Sequence, residues 1–376
     1  MSWRDLVREE LKTMEPYRAH ASDAAVRLDA NESPLALPAD VRADLARAAT
    51  EANLNRYPDI LAGELRALIA ADLGVRADQI LFGNGSDEII ALLCATFARP
   101  RKNQRKAAIC YPVPSFVIYR VAAIASGCMP LEVPLRPDFM LDEVALERSI
   151  VAGQPNLLFL ALPNNPTGTL WPRETVETLC KNHPGLIVIA DEAYLMYSGV
   201  SHLDLLPKYE NLLVMRTLSK IGLAGLRVGY LIGHSEVIHE VEKVRPPYNV
   251  GSLNQRAAVA ALSRHRAVLD KCVEEVIAER ERVQAALISS GATVFPSKAN
   301  FIMARVAGAT EVFEGLKARG VLIKCFDRAK TPLEGCLRIT VGTRAENDAF
   351  LEAWNAVAPK APVEAAEPTT PTEPAA

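Results

Sequence analysis

The sequence contains no cysteines spaced C-x-x-C, and its six histidines form no H-x-x-x-H or H-E-x-x-H pair. Zinc sites use such spacings because neighbouring ligands must reach one tetrahedral ion, so a metal centre is not expected. The seven cysteines, at 94, 110, 128, 180, 272, 325 and 336, are scattered and odd in number. That pattern argues against a disulfide framework and fits reduced thiols in a cytoplasmic protein. Neither sign of charge dominates: 42 basic and 45 acidic residues leave a formal charge of −3. Such a balance points to neither nucleic acid nor an anionic membrane as partner. The longest largely apolar run, Ile89–Ala98, is too short to span a bilayer. The opening MSWRDLVREELKTMEPY carries charges where a secretory signal has an apolar core. There is no internal repeat.

What is present is an ordinary globular composition, 49% hydrophobic and 23% charged over 376 residues. That length predicts two or three domains, or one large domain with a satellite. Residues 1–30 read as a short helix and an extended arm. GELRALIAADLG has helical spacing and stops at a glycine. ADQILFGNG reads as a strand entering a Gly/Asn turn, and SDEIIALLCATFA as a buried helix. AAICYPVP, LLFLALPNN, LIVIADEAY and LLVMRTLSK are short apolar runs that each end at polar or turn residues. Continuous apolar strands separated by helices predict an α/β fold with a parallel sheet covered on both faces. Residues 254–290 read as one long helical stretch. The segments after it, ATVFPSKANFIMARV, VLIKCF and CLRITVGT with a helix near 310–319, predict a smaller α+β domain. The Pro-, Ala-, Thr- and Glu-rich tail, 359–376, is expected to be disordered.

Three polar clusters follow apolar strands. Asn164-Asn165-Pro166-Thr167-Gly168 follows LLFLAL, Asp191-Glu192-Ala193-Tyr194 follows LIVIA, and Thr217-Leu218-Ser219-Lys220 follows LLVMR. In open α/β sheets ligands bind just outside the carboxyl ends of strands. One such cluster is readily a turn or a cap; three together point to a site. Lys220 is either a surface lysine or a nucleophilic amine, and T-x-x-K also fits a Ser–Lys hydrolase. The glycines 222, 225, 229 and 233 around it point to close backbone packing about something bound. Asp191 is either a helix N-cap or a buried acid that keeps a cofactor ring nitrogen protonated. Tyr194 is a core tyrosine or a donor to a cofactor oxygen. Gly83-Asn84-Gly85-Ser86-Asp87-Glu88 is a strand–turn–helix junction, either a capped tight turn or a phosphate cradle. Thr217, Ser219 and Arg227 would complete such a cradle, unless Arg227 is a surface ion pair. Arg338, within an otherwise apolar strand, needs either a structural salt bridge or an anionic substrate group.

Together these residues resemble the fold-type-I pyridoxal-phosphate (PLP) aminotransferases. The likeness runs from LDANESP (28–34) to CLRITVGT (336–343), with PNNPTG, ADEAY, SK…GLRVGY and LRITVGT in the family's order. LDANESP, NRYPD and CLRITVGTR resemble its histidinol-phosphate branch. The resemblance implies a large domain with a mostly parallel seven-stranded sheet between helices, over 46–260. It implies a smaller α+β domain over 261–358 and an N-terminal arm, 1–45, packed on that domain. It implies PLP as cofactor, with Lys220 as its Schiff-base lysine and proton shuttle, Asp191 on the pyridine nitrogen, and Asn165 and Tyr194 on the phenolic oxygen. Phe116 would stack on the ring. Ser86 and Asp87 backbone amides, with Thr217, Ser219 and Arg227, would hold the phosphate. Tyr57 would reach a neighbouring subunit's site, which implies a homodimer. Arg338, Lys324, Tyr17 and Asn31 would bind substrate. The reaction implied is amino transfer from L-histidinol phosphate to a 2-oxo acid, 2-oxoglutarate, in the cytoplasm. Aromatic amino-acid aminotransferases, amino-acid phosphate decarboxylases and a non-catalytic binding or regulatory protein are the alternatives on this scaffold. Two departures stand out: Arg227 follows Lys220 one residue sooner than in some relatives, and Lys324 stands where an arginine is often found.

Overall fold

The computed structural model describes residues 2–12, 14–16, 23–34 and 36–359. Tyr17 and, from residue 360, the tail lie outside them. The arm contributes a helical turn, α1 (Glu9–Lys12), a two-residue strand, β1 (Val26–Arg27), and α2 (Ala39–Thr50). Next comes α3 (Gly63–Leu73), which ends where Gly74 turns left-handed at φ 66°, as the GELRALIAADLG reading predicts.

The large sheet is built from β2 (Ile80–Asn84), β3 (Ala108–Val113), β4 (Met129–Pro134), β5 (Leu157–Ala161), β6 (Ile187–Asp191), β7 (Leu212–Thr217) and β8 (Val228–Ile232). Their spatial order is β2-β8-β7-β6-β5-β3-β4. All contacts are parallel except those of β8, which runs antiparallel to both β2 and β7. The apolar runs are continuous because alternate residues serve two cores. Leu158, Leu160, Val188 and Val214 face one cluster with α3, α6 (Glu143–Gly153) and α7 (Arg173–Asn182). Leu157, Phe159, Ile189 and Leu213 face the other, with α4 (Ser86–Thr96), α5 (Ile118–Ala125) and α9 (Ser235–Glu242). Among the described residues the one α-helix between α7 and α9 is the short α8 (Leu195–Ser198). The chain reverses its direction of travel across the sheet between β3 and β5, so their carboxyl ends open a crevice.

The predicted long helix over 254–290 is two helices, α10 (Ser252–Arg264) and α11 (Arg266–Ser289). His265 breaks it, with φ −124° and ψ 17°. Its Nε2 lies 2.8 Å from the Asp44 carboxylate on α2, which Arg264 also reaches. A tertiary contact therefore overrides a continuous helical pattern.

The last third forms a four-stranded antiparallel sheet in the order β12-β13-β10-β9, from β9 (Thr293–Phe295), β10 (Phe301–Arg305), β12 (Lys324–Cys325) and β13 (Cys336–Thr340). It packs with α11 and α12 (Ala309–Ala318), and α13 (Arg344–Val357) packs on those two helices. The β1 strand pairs in parallel with β11 (Val321–Leu322). Earlier arm residues reach the large-sheet side instead: Arg8 donates to the Ala125 carbonyl at 2.8 Å, and Glu10 pairs with Lys106. Among the described residues no helix is long and apolar enough to cross a membrane.

Candidate active site

The strand-end clusters open into one cavity of about 560 Å³, lined by Lys220, Asp191 and Arg338 together. Asp191 is the last residue of β6 and only 5% exposed. Its Oδ2 accepts from the Tyr119 hydroxyl at 2.6 Å and its Oδ1 from the Ala193 amide at 3.1 Å. Burial pushes the carboxyl up to about 6, the two hydrogen bonds oppose that, and Asp87 and Glu192 add to it. In the protein alone the acid is therefore harder to ionise than an ordinary aspartate. Desolvation outweighs the donors until a cation stands beside the acid.

Lys220 sits in the short helical turn after β7, and its carbonyl accepts from Tyr197 at 2.5 Å. That bond fixes the backbone from which the amine projects. The Nζ lies 5.7 Å from the Tyr194 ring centroid, a cation–π separation. Tyr194 itself is held from the far side. Its hydroxyl accepts from Asn31 Nδ2 at 3.0 Å. Asn31 is buried with φ 55° and is clamped in turn. Thr340 Oγ1 accepts from its amide at 3.0 Å and donates to its Oδ1 at 3.2 Å, and Asn300 donates to its carbonyl at 3.1 Å. Asn31, expected to bind substrate, thus spends these groups on holding Tyr194 and the arm in place.

At the other end, α4 starts at Ser86 behind Gly85, whose φ is 78°. The Thr217 hydroxyl donates to Ser219 Oγ at 2.9 Å. Arg227 reaches Ser219 Oγ at 3.5 Å and Asp87 Oδ2 at 3.1 Å. A Cβ on Gly85 would lie 2.5 Å from Arg227 Nη2, and one on Gly229 would lie 2.6 Å from the Ser86 amide nitrogen. These two glycines let a guanidinium and a helix start share one anion-sized cradle. The other glycines of the loop do less. Gly233 makes room for Leu213 in the core, Gly222 supplies a φ of 94°, and a Cβ on Gly225 would meet open space. Close packing around a bound group is therefore the work of Gly229, with Gly85 opposite, and not of all four. Arg227 also makes the ion pair with Asp87 that was its alternative.

Arg338 lies on β13 directly across from Lys324 on β12. Its guanidinium donates to Asn165 Oδ1 at 2.7 Å and to the Asp29 carbonyl at 2.8 Å, and it covers the rings of Phe301 and Phe326. Both acceptors are neutral, and the residue is only 8% exposed. Lys324 also lines the cavity, and burial together with the charge of Arg338 lowers its pKa. Two cations face each other at this end, which suits an anion.

Phe116 lines the cavity, edge-on to Tyr119 with centroids 5.7 Å apart. Tyr57 does not line this chain's cavity; it is exposed and stacked on Tyr248 at 4.5 Å. Sequence reasoning misses one group, Tyr119, and gives no role to another, Asn164 of the cluster after β5. Tyr119 stands three residues after Phe116, one helical turn, and that spacing is the available signal. Asn164, whose neighbour Asn165 faces the cavity, is wholly buried; it accepts from Ser115 and donates to the Pro114 carbonyl and to Thr167, pinning the end of β5 to that of β3. Behind the site Glu192 and Arg216 form a buried ion pair at 2.9 Å, which ties the end of β6 to that of β7.

The residues present fit the cofactor that the resemblance implies. An anion cradle, a buried acid, an aromatic face and a lysine line one cavity, with the glycines at 85 and 229 leaving room that side chains would fill.

Residues 24–353 match the model of the family described as aminotransferase class I and II. The chain is 42% identical to histidinol-phosphate aminotransferase 2 of Cupriavidus pinatubonensis, over 93% of this chain and 96% of that one. It is 43% identical to histidinol-phosphate aminotransferase of Chromobacterium violaceum, over 93% and 97%. Its fold superposes on a crystal structure of histidinol-phosphate aminotransferase from Sinorhizobium meliloti with a TM-score of 0.80, at 24% identity over 89% of this chain and 90% of the other. The match to the family model spans all three sheets and every strand-end cluster of the cavity, and the chain belongs to the class I and II aminotransferases.

Proposed function

We propose that this chain is a PLP-dependent histidinol-phosphate aminotransferase that moves the amino group of L-histidinol phosphate to 2-oxoglutarate, giving imidazole acetol phosphate and glutamate. The observation that carries this reading is one cavity lined by Lys220, Asp191 and Arg338. The bound cofactor supplies an aldehyde that condenses with amines and a protonated ring that takes up charge from the substrate carbon.

The chain's own residues do the rest. Lys220 Nζ would take up the proton from the donor's Cα and later give it back. Asp191 holds the proton of the ring nitrogen, and that positive charge reverses the push that burial exerts on the acid. Asn165 and Tyr194 hold the phenolic oxygen. Tyr194 receives an N–H from Asn31, so its own hydroxyl hydrogen is left to point into the cavity. Ser86 and Asp87 amides, Thr217, Ser219 and Arg227 hold the cofactor phosphate, and Phe116 covers the ring. Histidinol phosphate has no carboxylate and glutamate has no phosphate, so Arg338 and Lys324 serve both anions in turn.

Residues 46–260 act as the cofactor-binding domain and 261–358 as the smaller domain. The working form is a cytoplasmic homodimer. Exposed Leu54, Tyr57, Ile60, Tyr248 and Leu253 give it an apolar contact face, and Tyr57 crosses to the second copy's site.

A coupled assay with 2-oxoglutarate as acceptor tests the reading. Glutamate should form from histidinol phosphate with a kcat/KM at least ~100-fold above that from phenylalanine, a gap of about 2.7 kcal/mol. Threonine phosphate should release no carbon dioxide. Phenylalanine outrunning histidinol phosphate, or decarboxylation of threonine phosphate, would replace this substrate with an aromatic or decarboxylase assignment. Lys220→Ala should lose the visible absorbance of the bound cofactor together with turnover.

A further inference from the structure

Resting on that function, we propose that the buried phenol of Tyr119 is a positioning residue: it keeps Asp191 ionised and, through Asp191, keeps the cofactor ring nitrogen protonated. Tyr119 is wholly buried on α5. Its ring stacks on Phe159 of β5 at 4.8 Å and 14°, and meets Tyr111 at 5.9 Å and Phe116 edge-on at 5.7 Å. Three aromatic contacts fix where its hydroxyl points, and it points at Asp191 Oδ2, 2.6 Å away.

A buried phenol needs an acceptor, and any carbonyl would satisfy it. Here the acceptor is a carboxylate in a site that disfavours its charge. Asp87 on α4 and Glu192 beside it in the chain oppose ionisation of Asp191, while the Tyr119 hydroxyl and the Ala193 amide favour it. Tyr119 cannot surrender its own proton to do this, because burial and the neighbouring Asp191 charge push its pKa well above the usual phenol value. It is a donor at every working pH.

A pyridine nitrogen next to Asp191 shares one proton with it, as carboxylate with pyridinium or as carboxylic acid with neutral pyridine. Only the first makes the ring an electron sink. A donor on Oδ2 stabilises the carboxylate and so selects the first. A hydrogen bond to a charged group is strong enough to change the ratio of the two forms on the order of tenfold or more.

The test is Tyr119→Phe, which keeps the ring among its three aromatic neighbours and removes only the hydroxyl. The holoenzyme is reconstituted with PLP carrying nitrogen-15 in the ring, whose chemical shift separates pyridinium from pyridine. The shift should move toward neutral pyridine, and kcat should fall about tenfold with KM for the amino donor unchanged. A folded variant whose nitrogen shift matches wild type overturns the inference, whatever happens to its rate. Asp191→Asn is the control. If it too leaves the shift unmoved, the role of Asp191 fails as well, and with it the function proposed above. Should Tyr119→Phe not fold, 3-fluorotyrosine placed at 119 is a stronger donor of nearly the same shape. The protonation midpoint of Asp191 in the apoprotein, read by isotope-edited infrared spectroscopy, must then fall; an unchanged or higher midpoint sinks the idea.

Discussion

The two ends of the cavity are built differently. The cofactor end comes from consecutive strand ends of one sheet: Asn165 after β5, Asp191 and Tyr194 at β6, and Ser219 and Lys220 after β7. It is backed by the buried Glu192–Arg216 pair and by Tyr119. The substrate end comes from segments that are distant in the chain. Asp29 and Arg27 belong to the arm, Lys324 to β12, Arg338 to β13 and Asn165 to the large sheet. Arg27 and Asp29 approach each other only at 3.5 Å, and the Arg27 side chain is half exposed. At the first end Asp191, Ser219 and Lys220 are carried by neighbouring strand ends of a sheet that is covered on both sides. The second is a junction of separate elements, drawn from the arm, the small sheet and the loop after β5. A fixed end for a cofactor that stays, and a looser end that must accept two different anions, is the division that amino transfer requires.

The comparison can be broken first at Arg338. Removing it leaves Lys324 as the remaining cation of the facing pair, and truncating one partner of a buried, hydrogen-bonded charge contact costs roughly 2–5 kcal/mol. Arg338→Ala should therefore lower kcat/KM about 100-fold or more in each half-reaction, measured separately by single-turnover absorbance; loss in only one half would contradict a shared anion site. The cofactor end is tested by acid. The Asp191 carboxyl lies above its ordinary value of 3.8, at about 6. The unfolded chain therefore binds fewer protons than the folded apoprotein between about pH 4 and 6. Its stabilising contribution is present below about pH 4 and is lost as pH rises through about 6, a change of roughly 3 kcal/mol. Urea unfolding of the apoprotein across that range should show this fall, and Asp191→Asn should flatten it. The smallest effect is expected at Lys324. Arginine there restores a bidentate fork for phosphate. Lys324→Arg should lower KM for histidinol phosphate a few-fold, under about 1 kcal/mol, with little change for glutamate. Equal shifts for both would show that the fork does not distinguish phosphate from carboxylate.

The same division decides how much of the site is legible in the amino-acid sequence. The clusters at Asn165, Asp191 and Lys220 each follow an apolar run directly, so strand periodicity places them together. Contacts between remote segments carry no local signature. Asn31, within LDANESP, is legible only through family likeness, and its grip on Tyr194 depends on how the arm crosses β13. The bond from Tyr119 to Asp191 spans 72 residues, and that from Arg338 to Asn165 spans 173. The break at His265 has the same origin, since the helical pattern runs through it and Asp44, which holds its ring, lies 221 residues earlier.

The clamp on Asn31 also sets a timetable for synthesis. Its amide bonds to a hydroxyl 309 residues further along the chain. The clamp that braces Tyr194 through Asn31 cannot be completed until Thr340 of β13 has been made. Ribosome-bound chains arrested before residue 336 should accordingly capture cofactor poorly, and maturation of the pocket becomes one of the last events of translation.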